Sequence, residues 1–499
     1  MRMINDPNLL SGLSELISSL IGLHFPADRL SDLERGLRSA APDLGFSDTS
    51  EFIEWLKNTK LSKSDIETLA SHLTIGETYF FREKESFKAL EETILPEIIN
   101  ARRGKEQRLR FWSAGCSTGE EAYSLAILIT RMLPDYRDWN ISILATDINP
   151  RSLKKAAGGT YSEWAFREAP EWLKAKYFMQ KDGYYEIVPE IKKMVSFSYL
   201  NLAEDTYPSL LNNTNAMDVI FCRNVLMYFS TEKAKRAVQG FYKALVDEGW
   251  LSVSATESLR SLYSQFAIIN FPGAILYRKT NALERREDFK HTLPEHTFNF
   301  RAESYSPVID TGTEFAPVIA KSISASKETE NPQEAVPTYK VAFELFEQGR
   351  YSEAIEALEL LHQAKPDEAI INALLAKTNA NLGKLDSALQ WCEKAVEADK
   401  LNPAFRYMSA TILQEQGLIE QAINSLKRAL YLDPNFIIAY FVLGNLMLSK
   451  GDAKAAMKSF NNAKELLLSC GPEETLPESD GITAGRLATI IDSMALQRA

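Results

Sequence analysis

The feature that most constrains the fold of this chain is a 34-residue period in its C-terminal third. Glycine recurs at Gly349, Gly383, Gly417 and Gly451, and alanine at Ala354, Ala388, Ala422 and Ala456. A third position keeps the period at Leu361, Ala395, Ala429 and Ala463. Small residues let paired helices approach closely, and glycine suits the tight turn between them. The period predicts stacked helix–turn–helix units over residues about 335–470.

This pattern resembles the tetratricopeptide (TPR) repeat, in which each unit is a pair of antiparallel helices. Pro366 and Pro434 close two of the units. A helix predicted over about 482–497 would cap the open end, so that residues 334–499 form an α-solenoid of TPR repeats with a capping helix. TPR arrays present a concave groove, and the resemblance implies a further protein or peptide partner bound there.

Residues 96–280 alternate apolar strands with helices, which predicts an α/β domain. Strands are predicted over 108–113, 141–146, 194–200, 217–222 and 249–255, and helices over 119–133 and 231–247. Residues 266–278 predict a terminal hairpin that turns at Phe271-Pro-Gly273. A second hairpin, at 177–188, is predicted to turn at Asp182-Gly183 within a small β insertion of about residues 176–200.

The remaining regions are a helical N-terminal domain and a linker, so the fold class is multidomain, α and α/β. Residues 1–95 place leucines at helical spacing, as in Leu30, Leu33 and Leu37. Residues 281–333 hold scattered proline and serine and predict a flexible linker.

Composition narrows the ligands and the compartment. The net charge is −11 and no Lys/Arg block occurs, which argues against nucleic acid as the ligand. The four cysteines are far apart in sequence and form no CxxC pair, so no metal site is predicted and a reducing cytoplasm is favoured. The stretch Leu9–Phe25 is broken by polar residues, so we expect a protein that is not membrane-embedded.

A strand, a glycine turn, a helix and a second strand ending in an acid form a nucleoside-binding pattern. Gly115 and Gly119 free the backbone to approach a ligand, and Glu121 lies one turn into the helix. Asp147, at the end of the adjacent strand, can accept both hydroxyls of a ribose. The alternatives are an ordinary strand–helix turn and, for Asp147, an N-cap of the helix that begins near Pro150.

Polar residues also follow two later strands, where open α/β sheets place ligands. Asn201 and Leu202 end one strand, and a plain turn explains them nearly as well. Arg223, Asn224 and Tyr228 follow the other. An internal ion pair is the alternative for Arg223, because an unpaired buried charge is costly.

Three stretches resemble the CheR family of chemoreceptor glutamate methyltransferases. They are Thr78-x-Phe80-Phe81-Arg82-Glu83, Trp112-Ser-Ala-x-x-Ser-Thr-Gly-Glu-Glu121 and Phe221-Cys-Arg-Asn-Val-x-x-Tyr-Phe229. The resemblance covers about residues 10–280. It implies a class I, Rossmann-like domain dependent on S-adenosyl-L-methionine (SAM), with S-adenosyl-L-homocysteine as product and no metal.

The resemblance also implies residue roles. The expected cofactor-binding residues are Gly76, Thr78, Arg82, Gly115, Glu121, Asp147, Asn201, Leu202, Arg223 and Asn224. Arg82 and Tyr228 would lie nearest the transferred methyl group and act as the catalytic pair. The family usually has Asn where this chain has Gly76. Residues 1–75 hold seven Lys/Arg against eleven Asp/Glu, whereas well-known members are basic there.

The implied reaction is methylation of glutamate carboxylates on the cytoplasmic helical bundle of a methyl-accepting chemotaxis-type receptor. The enzyme would be cytoplasmic and recruited to membrane receptor arrays. Two other hypotheses remain: a methyltransferase for a small carboxylic acid, and a non-catalytic scaffold that senses SAM. The TPR partner also stays open among a receptor, a response regulator and this chain's own catalytic domain.

Overall fold

The computed structural model describes residues 7–204, 207–209, 212–258, 261–280, 337–479 and 481–496. These residues form a helical N-terminal region, a mixed α/β region and a C-terminal helical array, which confirms the predicted fold class. The predicted linker at 281–333 lies outside the described residues.

The N-terminal region is built from four short amphipathic helices. They are α1 (Pro7–Ile21), α2 (Leu30–Ala40), α3 (Thr49–Asn58) and α4 (Lys63–Leu73). The side chain of Asp48 caps α3, and Ser62 with Asp65 forms a capping box on α4. Leu33 and Leu37 of α2 are fully buried in the apolar cluster that these helices share.

The mixed α/β region follows, and its described residues contain seven α-helices, one π-helical turn and a seven-stranded sheet. The helices are α5 (Lys84–Ala89), a π-helical turn (Leu90–Ile94), α6 (Leu95–Arg102), α7 (Glu120–Met132), α8 (Pro150–Gly158), α9 (Glu171–Tyr177), α10 (Pro189–Lys192) and α11 (Thr231–Ala244). The strands of the large sheet are β1 (Arg108–Ala114), β2 (Asn140–Asp147), β6 (Val195–Tyr199), β7 (Met217–Phe221), β8 (Leu245–Ser252), β9 (Ala267–Phe271) and β10 (Ala274–Arg278).

Five parallel strands and one antiparallel hairpin make up this sheet. Its order is β6-β2-β1-β7-β8-β10-β9, and β10 is antiparallel to both β8 and β9. Neighbouring residues of β1 face opposite sides, so that Phe111 and Trp112 belong to two different apolar clusters. The sheet is therefore buried on both faces, as parallel sheets usually are.

The small β insertion is a three-stranded sheet beside the large one. Its strands are β3 (Thr160–Tyr161), β4 (Phe178–Lys181) and β5 (Tyr184–Ile187), in the order β3-β5-β4. The predicted hairpin turn is confirmed, since Asp182 and Gly183 both have positive φ. The β insertion predicted over about residues 176–200 therefore differs in its bounds from this small sheet. The predicted range includes β6, which pairs in the large sheet, and it omits β3.

One predicted strand begins four residues earlier than expected. The sequence favours a strand over 249–255, but β8 starts at Leu245 and the preceding helix ends at Ala244. The register of β8 against β7 shifts between the pairs Met217–Leu245 and Val219–Trp250. Glu248 takes a φ of 65° inside this irregular stretch, so a strand continues through residues that have the composition of a turn.

Four helical pairs and a final helix form the C-terminal array. The helices are α12 (Tyr339–Glu347), α13 (Tyr351–Ala364), α14 (Ala369–Asn381), α15 (Leu385–Ala398), α16 (Pro403–Glu415), α17 (Ile419–Leu432), α18 (Ile437–Ser449), α19 (Ala453–Leu467) and α20 (Ala484–Leu496). The four periodic glycines have φ of 75–82° in the turn between the helices of each pair. The four periodic alanines that follow them are fully buried. The predicted repeat structure and terminal helix are confirmed.

The array lies against the edge of the large sheet where the parallel strands begin. The Tyr351 hydroxyl donates to the carbonyl of Lys243, just before β8, at 2.9 Å. A Cβ at Gly383 would come within 1.7 Å of the Arg108 guanidinium, at the start of β1. Asn140, at the start of β2, donates to the carbonyl of Glu415 at 3.1 Å. Successive interhelical turns thus follow the amino-terminal edge of the sheet.

Candidate active site

The opposite edge of the sheet, where the parallel strands end, opens into a cavity. Its empty volume is about 1080 Å³, including space open to solvent. Eleven residues predicted as cofactor-binding or catalytic line it: Gly76, Thr78, Arg82, Gly115, Glu121, Asp147, Asn201, Leu202, Arg223, Asn224 and Tyr228. The structure therefore brings together every residue predicted to be cofactor-binding or catalytic, although their individual roles stay predictions.

The glycine turn after β1 forms one wall of this cavity. Gly115 has a φ of 81°, and a Cβ there would lie 2.4 Å from a methyl group of Val225. Gly119 has a φ of 92°, and its Cβ would lie 2.9 Å from that of Ala156. Both positions therefore need glycine for conformation and for close approach. Gly115 also keeps backbone rather than a side chain beside the cavity, whereas Gly119 does not line it.

Asp147 ends β2 and anchors this turn. Its carboxylate accepts from the backbone N–H of Ser117 and of Asn149, each at 2.8 Å. Burial raises the pKa of Asp147, and these backbone hydrogen bonds oppose the rise. The N-cap of α8 is Asn149, whose side chain accepts from Arg151 and Ser152, so Asp147 does not cap that helix.

Glu121 and Arg223 form a buried ion pair at the back of the cavity. Arg223 Nε donates to Glu121 Oε2 at 2.8 Å, and the Arg223 side chain is only 2% exposed. The second oxygen of Glu121 accepts from the Ser113 hydroxyl at 2.7 Å. Arg223 also donates to the carbonyl of Arg82 at 2.6 Å, which ties the segment before α5 to the end of β7. The ion pair considered as an alternative for Arg223 is present, and both partners still line the cavity.

Glu257 is a site-forming residue that sequence reasoning missed. Its buried carboxylate accepts from the backbone N–H groups of Asn224, Val225 and Met227, at 2.7, 2.8 and 3.1 Å. Burial raises the pKa of Glu257, and these hydrogen bonds oppose the rise. Asn224 has a φ of 58°, so Glu257 holds the loop after β7 in an unusual conformation. The Ser254-x-x-Glu257 spacing is a capping-box pattern and would have been the signal.

Asn224 lines the cavity and carries one polar atom without a partner among the described residues. Its Nδ2 donates to the Ser254 hydroxyl at 3.1 Å. Its Oδ1 is buried and has no hydrogen-bond partner among the described residues. An unpaired buried acceptor is costly unless a ligand donor meets it, so this atom fits a cofactor that carries an ammonium or hydroxyl group.

The N-terminal region covers the cavity beside Tyr228. The backbone N–H of His24 donates to the carbonyl of Tyr228 at 2.7 Å, and Leu23 forms an antiparallel bridge with Phe229. Arg29, which lines the cavity, places its guanidinium carbon 5.2 Å from the centre of the Tyr228 ring. No local sequence pattern indicated Arg29, because its position depends on the packing of two domains.

Arg82 and the segment before it form the facing wall. Arg82 Nη1 donates to the carbonyl of Glu77 at 2.7 Å, and the side chain stays partly exposed to the cavity. Thr78 lies on the same wall. Gly76 accepts from the Ser117 hydroxyl through its carbonyl at 3.1 Å, and a Cβ at Gly76 would lie 3.1 Å from that hydroxyl.

Asn201 and Leu202 close the cavity after β6 and are both buried. Asn201 Nδ2 donates to the carbonyl of Leu20 in α1 at 3.0 Å, and its Oδ1 accepts from the N–H of Ala203 at 3.0 Å. Asn201 is therefore also a contact between the sheet and the N-terminal region, which the sequence did not indicate.

Two further observations concern the described residues as a whole. None of their helices has the length and apolar content needed to span a bilayer. No group of three or more His, Cys, Asp and Glu side chains among them is arranged to hold a metal ion. The expectation that the chemistry needs no metal stays a prediction.

Comparison with known proteins identifies the class. Residues 76–275, which carry the cavity, match the CheR methyltransferase, SAM binding domain. Residues 345–412 match a tetratricopeptide repeat, and residues 410–451 match a TPR repeat. The fold and the cavity thus define a SAM-dependent methyltransferase with a C-terminal TPR array.

Relatives identify the family within that class. Chemotaxis protein methyltransferase 2 of Vibrio cholerae serotype O1 is 35% identical over 219 residues, which cover 44% of this chain and 74% of that protein. The chemotaxis protein methyltransferase of Borreliella burgdorferi is 32% identical over 254 residues, covering 50% of this chain and 88% of that protein. This chain belongs to the CheR family of chemotaxis protein methyltransferases. It is a SAM-dependent protein methyltransferase.

Proposed function

We propose that this protein transfers the methyl group of SAM to glutamate side chains of a methyl-accepting chemotaxis-type receptor, and so forms methyl esters for sensory adaptation. The observation that carries the proposal is the single cavity lined by Asp147, Arg223, Arg82 and Tyr228, at the edge where α/β sheets bind ligands. Asp147, Arg223 and Arg82 are expected cofactor contacts, and Arg82 with Tyr228 is the expected catalytic pair.

The cofactor would lie along the carboxyl ends of β1, β2 and β7. Asp147 would accept the ribose hydroxyls, because its carboxylate lies beside the glycine turn that lets a nucleoside approach. Asn224 Oδ1 would accept from an ammonium group of the cofactor. The Glu121–Arg223 pair would fix the wall between them.

The chemistry at the far end of the cavity needs orientation rather than a base. When bound, SAM supplies a methyl group that its sulfonium already activates. A glutamate side chain is ionised at neutral pH, since its unperturbed pKa is about 4.3. Arg82 and Tyr228 would therefore orient the carboxylate and exclude water, and orientation can contribute roughly 7–11 kcal/mol. Arg82 must not bind the carboxylate too strongly, because ground-state stabilisation raises the barrier.

Methyl transfer from labelled SAM to membranes that contain the organism's chemoreceptors tests the substrate. A base-labile label on a receptor band is the expected result, because carboxyl methyl esters hydrolyse in base. Label on a small carboxylic acid instead would identify a different substrate. No label, together with calorimetric binding of S-adenosylhomocysteine, would favour the SAM-sensing scaffold.

Substitution of Arg82 tests the catalytic pair. Arg82→Ala is expected to lower turnover by roughly 100-fold, equal to about 2.7 kcal/mol, because the carboxylate loses its orienting charge. The affinity for S-adenosylhomocysteine should change much less. Arg103→Ala is the matched control, since Arg103 is a half-exposed arginine that pairs with Asp135 away from the cavity. Equal losses of turnover and of affinity would contradict the role given to Arg82.

We further propose a cytoplasmic enzyme that is recruited to membrane receptor arrays and divided into residues 1–95, 96–280, 281–333 and 334–499. The TPR array would bind a further protein or peptide through its groove. The N-terminal region would contact the receptor with little help from charge. Its arginines Arg29 and Arg35 pair with Asp32, and Arg38 pairs with Glu34.

A further inference from the structure

The chain that follows the last repeat folds back along the array. Residues 472–479, here called the acidic segment, lie between α19 and α20 and carry Glu473, Glu474 and Glu478. Lys377, which pairs with Glu478 at 3.4 Å, belongs to α14, the first helix of the second unit. The units pack in chain order, so a segment that leaves the fourth unit and reaches the second must cross the third.

The side of the array that the acidic segment crosses is that of the first helices. Helix α14 contacts α12 on one side and α16 on the other, so these first helices form one continuous face. In TPR arrays, that face is the concave groove. Tyr407 of α16 and Phe441 of α18 are buried at 5% and 4% exposure, although they belong to the helices of this face. These two residues are therefore shielded from solvent, whereas Phe343 of α12, in the first unit, is 43% exposed.

The acidic segment is anchored by one apolar residue and one carboxylate. Leu476 is 4% exposed and belongs to the same apolar cluster as Tyr407 and Phe441. Two residues later, Glu478 has a φ of 54° and turns its side chain to Lys377. The N–H of Leu476 donates to the carbonyl of Ile482 at 3.0 Å, which closes the segment into a compact turn.

A third contact links the acidic segment to the N-terminal region. Glu473 pairs with Lys60, and both side chains are largely exposed. Exposed pairs of this kind contribute little to stability. The Lys60 contact therefore adds little, and the acidic segment is held against the array by Leu476 and by the pair of Glu478 with Lys377.

We propose that the acidic segment is an internal occupant of the repeat groove, and that the external partner is a peptide of the same chemistry, with an apolar side chain two residues before a carboxylate. The inference rests on the proposed partner-binding role of the repeats. The partner would replace Leu476 in the apolar cluster and Glu478 at Lys377. Binding would displace the acidic segment and break its contact with Lys60.

The test uses the full chain and a labelled peptide with the sequence of residues 472–479. A released variant, Leu476→Ser with Glu478→Ala, should bind this peptide at least roughly tenfold more tightly than the intact chain, because no internal occupant competes. Adding Lys377→Glu should remove most of that gain. Lys400→Glu, an exposed lysine between α15 and α16, is the matched control and should leave it unchanged.

Hydrogen exchange on the same variants separates release from unfolding. The amides of Leu476 and Ala484, which are hydrogen-bonded in the intact chain, should exchange faster in the released variant. The amides of α14 and α16 should stay protected in both. Equal peptide binding by the intact and released chains would overturn the internal occupancy.

Lack of peptide binding by a folded, released variant would overturn the partner chemistry. If the released variant nevertheless binds receptor membranes through the repeats, the proposed partner-binding role stands and only this inference fails. Methyl transfer is measured separately, so its failure would leave the peptide result intact.

Discussion

The two edges of the large sheet both hold arginine–glutamate pairs, but they hold them in different ways. At the cavity edge, Arg223 and Glu121 are hydrogen-bonded at 2.8 Å within one domain. At the amino-terminal edge, Arg108 and Arg110 lie 3.8 Å from a single carboxylate, Glu415, which the TPR array supplies. All three side chains at this edge are at most 8% exposed.

The contacts of Glu415 show what the TPR array contributes at the amino-terminal edge of the sheet. The Glu415 oxygen nearest the two arginines has no hydrogen bond among the described residues, while its other oxygen accepts from Asn215 at 2.7 Å. Without the array, two guanidinium groups of β1 would lose their only close carboxylate partner among the described residues. The TPR array therefore completes the charge balance of the catalytic sheet, and its contacts there lie on the edge opposite the cavity.

Glu415→Ala is expected to have the largest effect at the amino-terminal edge of the sheet. Loss of one partner from a buried ion pair costs about 3–5 kcal/mol, so the free energy of unfolding should fall by that amount. Urea denaturation measures it. The affinity for S-adenosylhomocysteine should stay within about twofold, because the cavity lies at the other edge.

Glu420→Ala is the matched control for that experiment. Glu420 pairs with Lys450 on the same array, but its side chain is 71% exposed, so the loss should stay below about 1 kcal/mol. Equal losses for the two variants would mean that the Glu415 cluster contributes no more than a surface pair. A parallel fall in cofactor affinity would mean that the two edges are coupled.

Lys279 makes the stability of the amino-terminal edge depend on pH. It is buried beside the array, with its Nζ 4.6 Å from the centre of the Tyr351 ring, and donates to the carbonyl of Leu245. Burial lowers the pKa of Lys279 to about 8, against the opposing effect of Asp247. Above pH 8 the folded chain releases a proton that the unfolded chain keeps until about pH 10.5, so stability rises with pH over this window.

The Lys279→Met variant should lack this rise. The difference in unfolding free energy between the wild type and the variant should change by about 2 kcal/mol between pH 7.5 and 10, in favour of the wild type. Urea denaturation at several pH values measures it, and other titrating groups cancel in the difference. A difference that does not vary with pH would contradict a lowered pKa.

Glu257→Gln tests the cavity edge with the smallest expected effect. Glutamine keeps the shape but offers one acceptor oxygen in place of two, so a backbone N–H of the loop after β7 loses its partner. The lost hydrogen bond should destabilise the native conformation of this loop by about 1–2 kcal/mol. Because the loop lines the cavity, turnover and affinity for S-adenosylhomocysteine should fall together by roughly tenfold.

Glu232→Gln is the control for Glu257, because Glu232 lies at the start of α11 with its side chain 84% exposed. Glu232→Gln should change neither turnover nor the affinity for S-adenosylhomocysteine. Unchanged cofactor binding in Glu257→Gln would mean that the loop keeps its conformation without this carboxylate.

The two edges also differ in how far the sequence predicts them. Gly115, Asp147 and Arg223 lie at the end of an apolar strand or within two residues of it, and parallel strands end at the same edge, so local patterns suffice to bring them together. The turns at the repeat glycines are likewise predicted by a pattern within the array's own sequence. Glu415 gives no comparable signal, because its partners Arg108 and Arg110 are about 300 residues away in sequence.

Other features escaped prediction for the same reason. Arg29 reaches Tyr228 only through the packing of the N-terminal helices on the sheet. The early start of β8 is accompanied by the positive φ of Glu248 and by a register shift against β7. The acidic segment carries no periodic pattern, and its position depends on Leu476 finding an apolar cluster. Each of these depends on a partner distant in sequence rather than on a local pattern.

The seam between the N-terminal region and the loop of Tyr228 includes main-chain contacts, from His24 to Tyr228 and from Leu23 to Phe229. Main-chain pairing does not depend on side-chain identity, and only proline at position 24 would remove the donor. The outer surface of the N-terminal region can thus change from basic to acidic without shifting this seam. Sequence change on that surface is therefore compatible with an unchanged attachment to the loop of Tyr228.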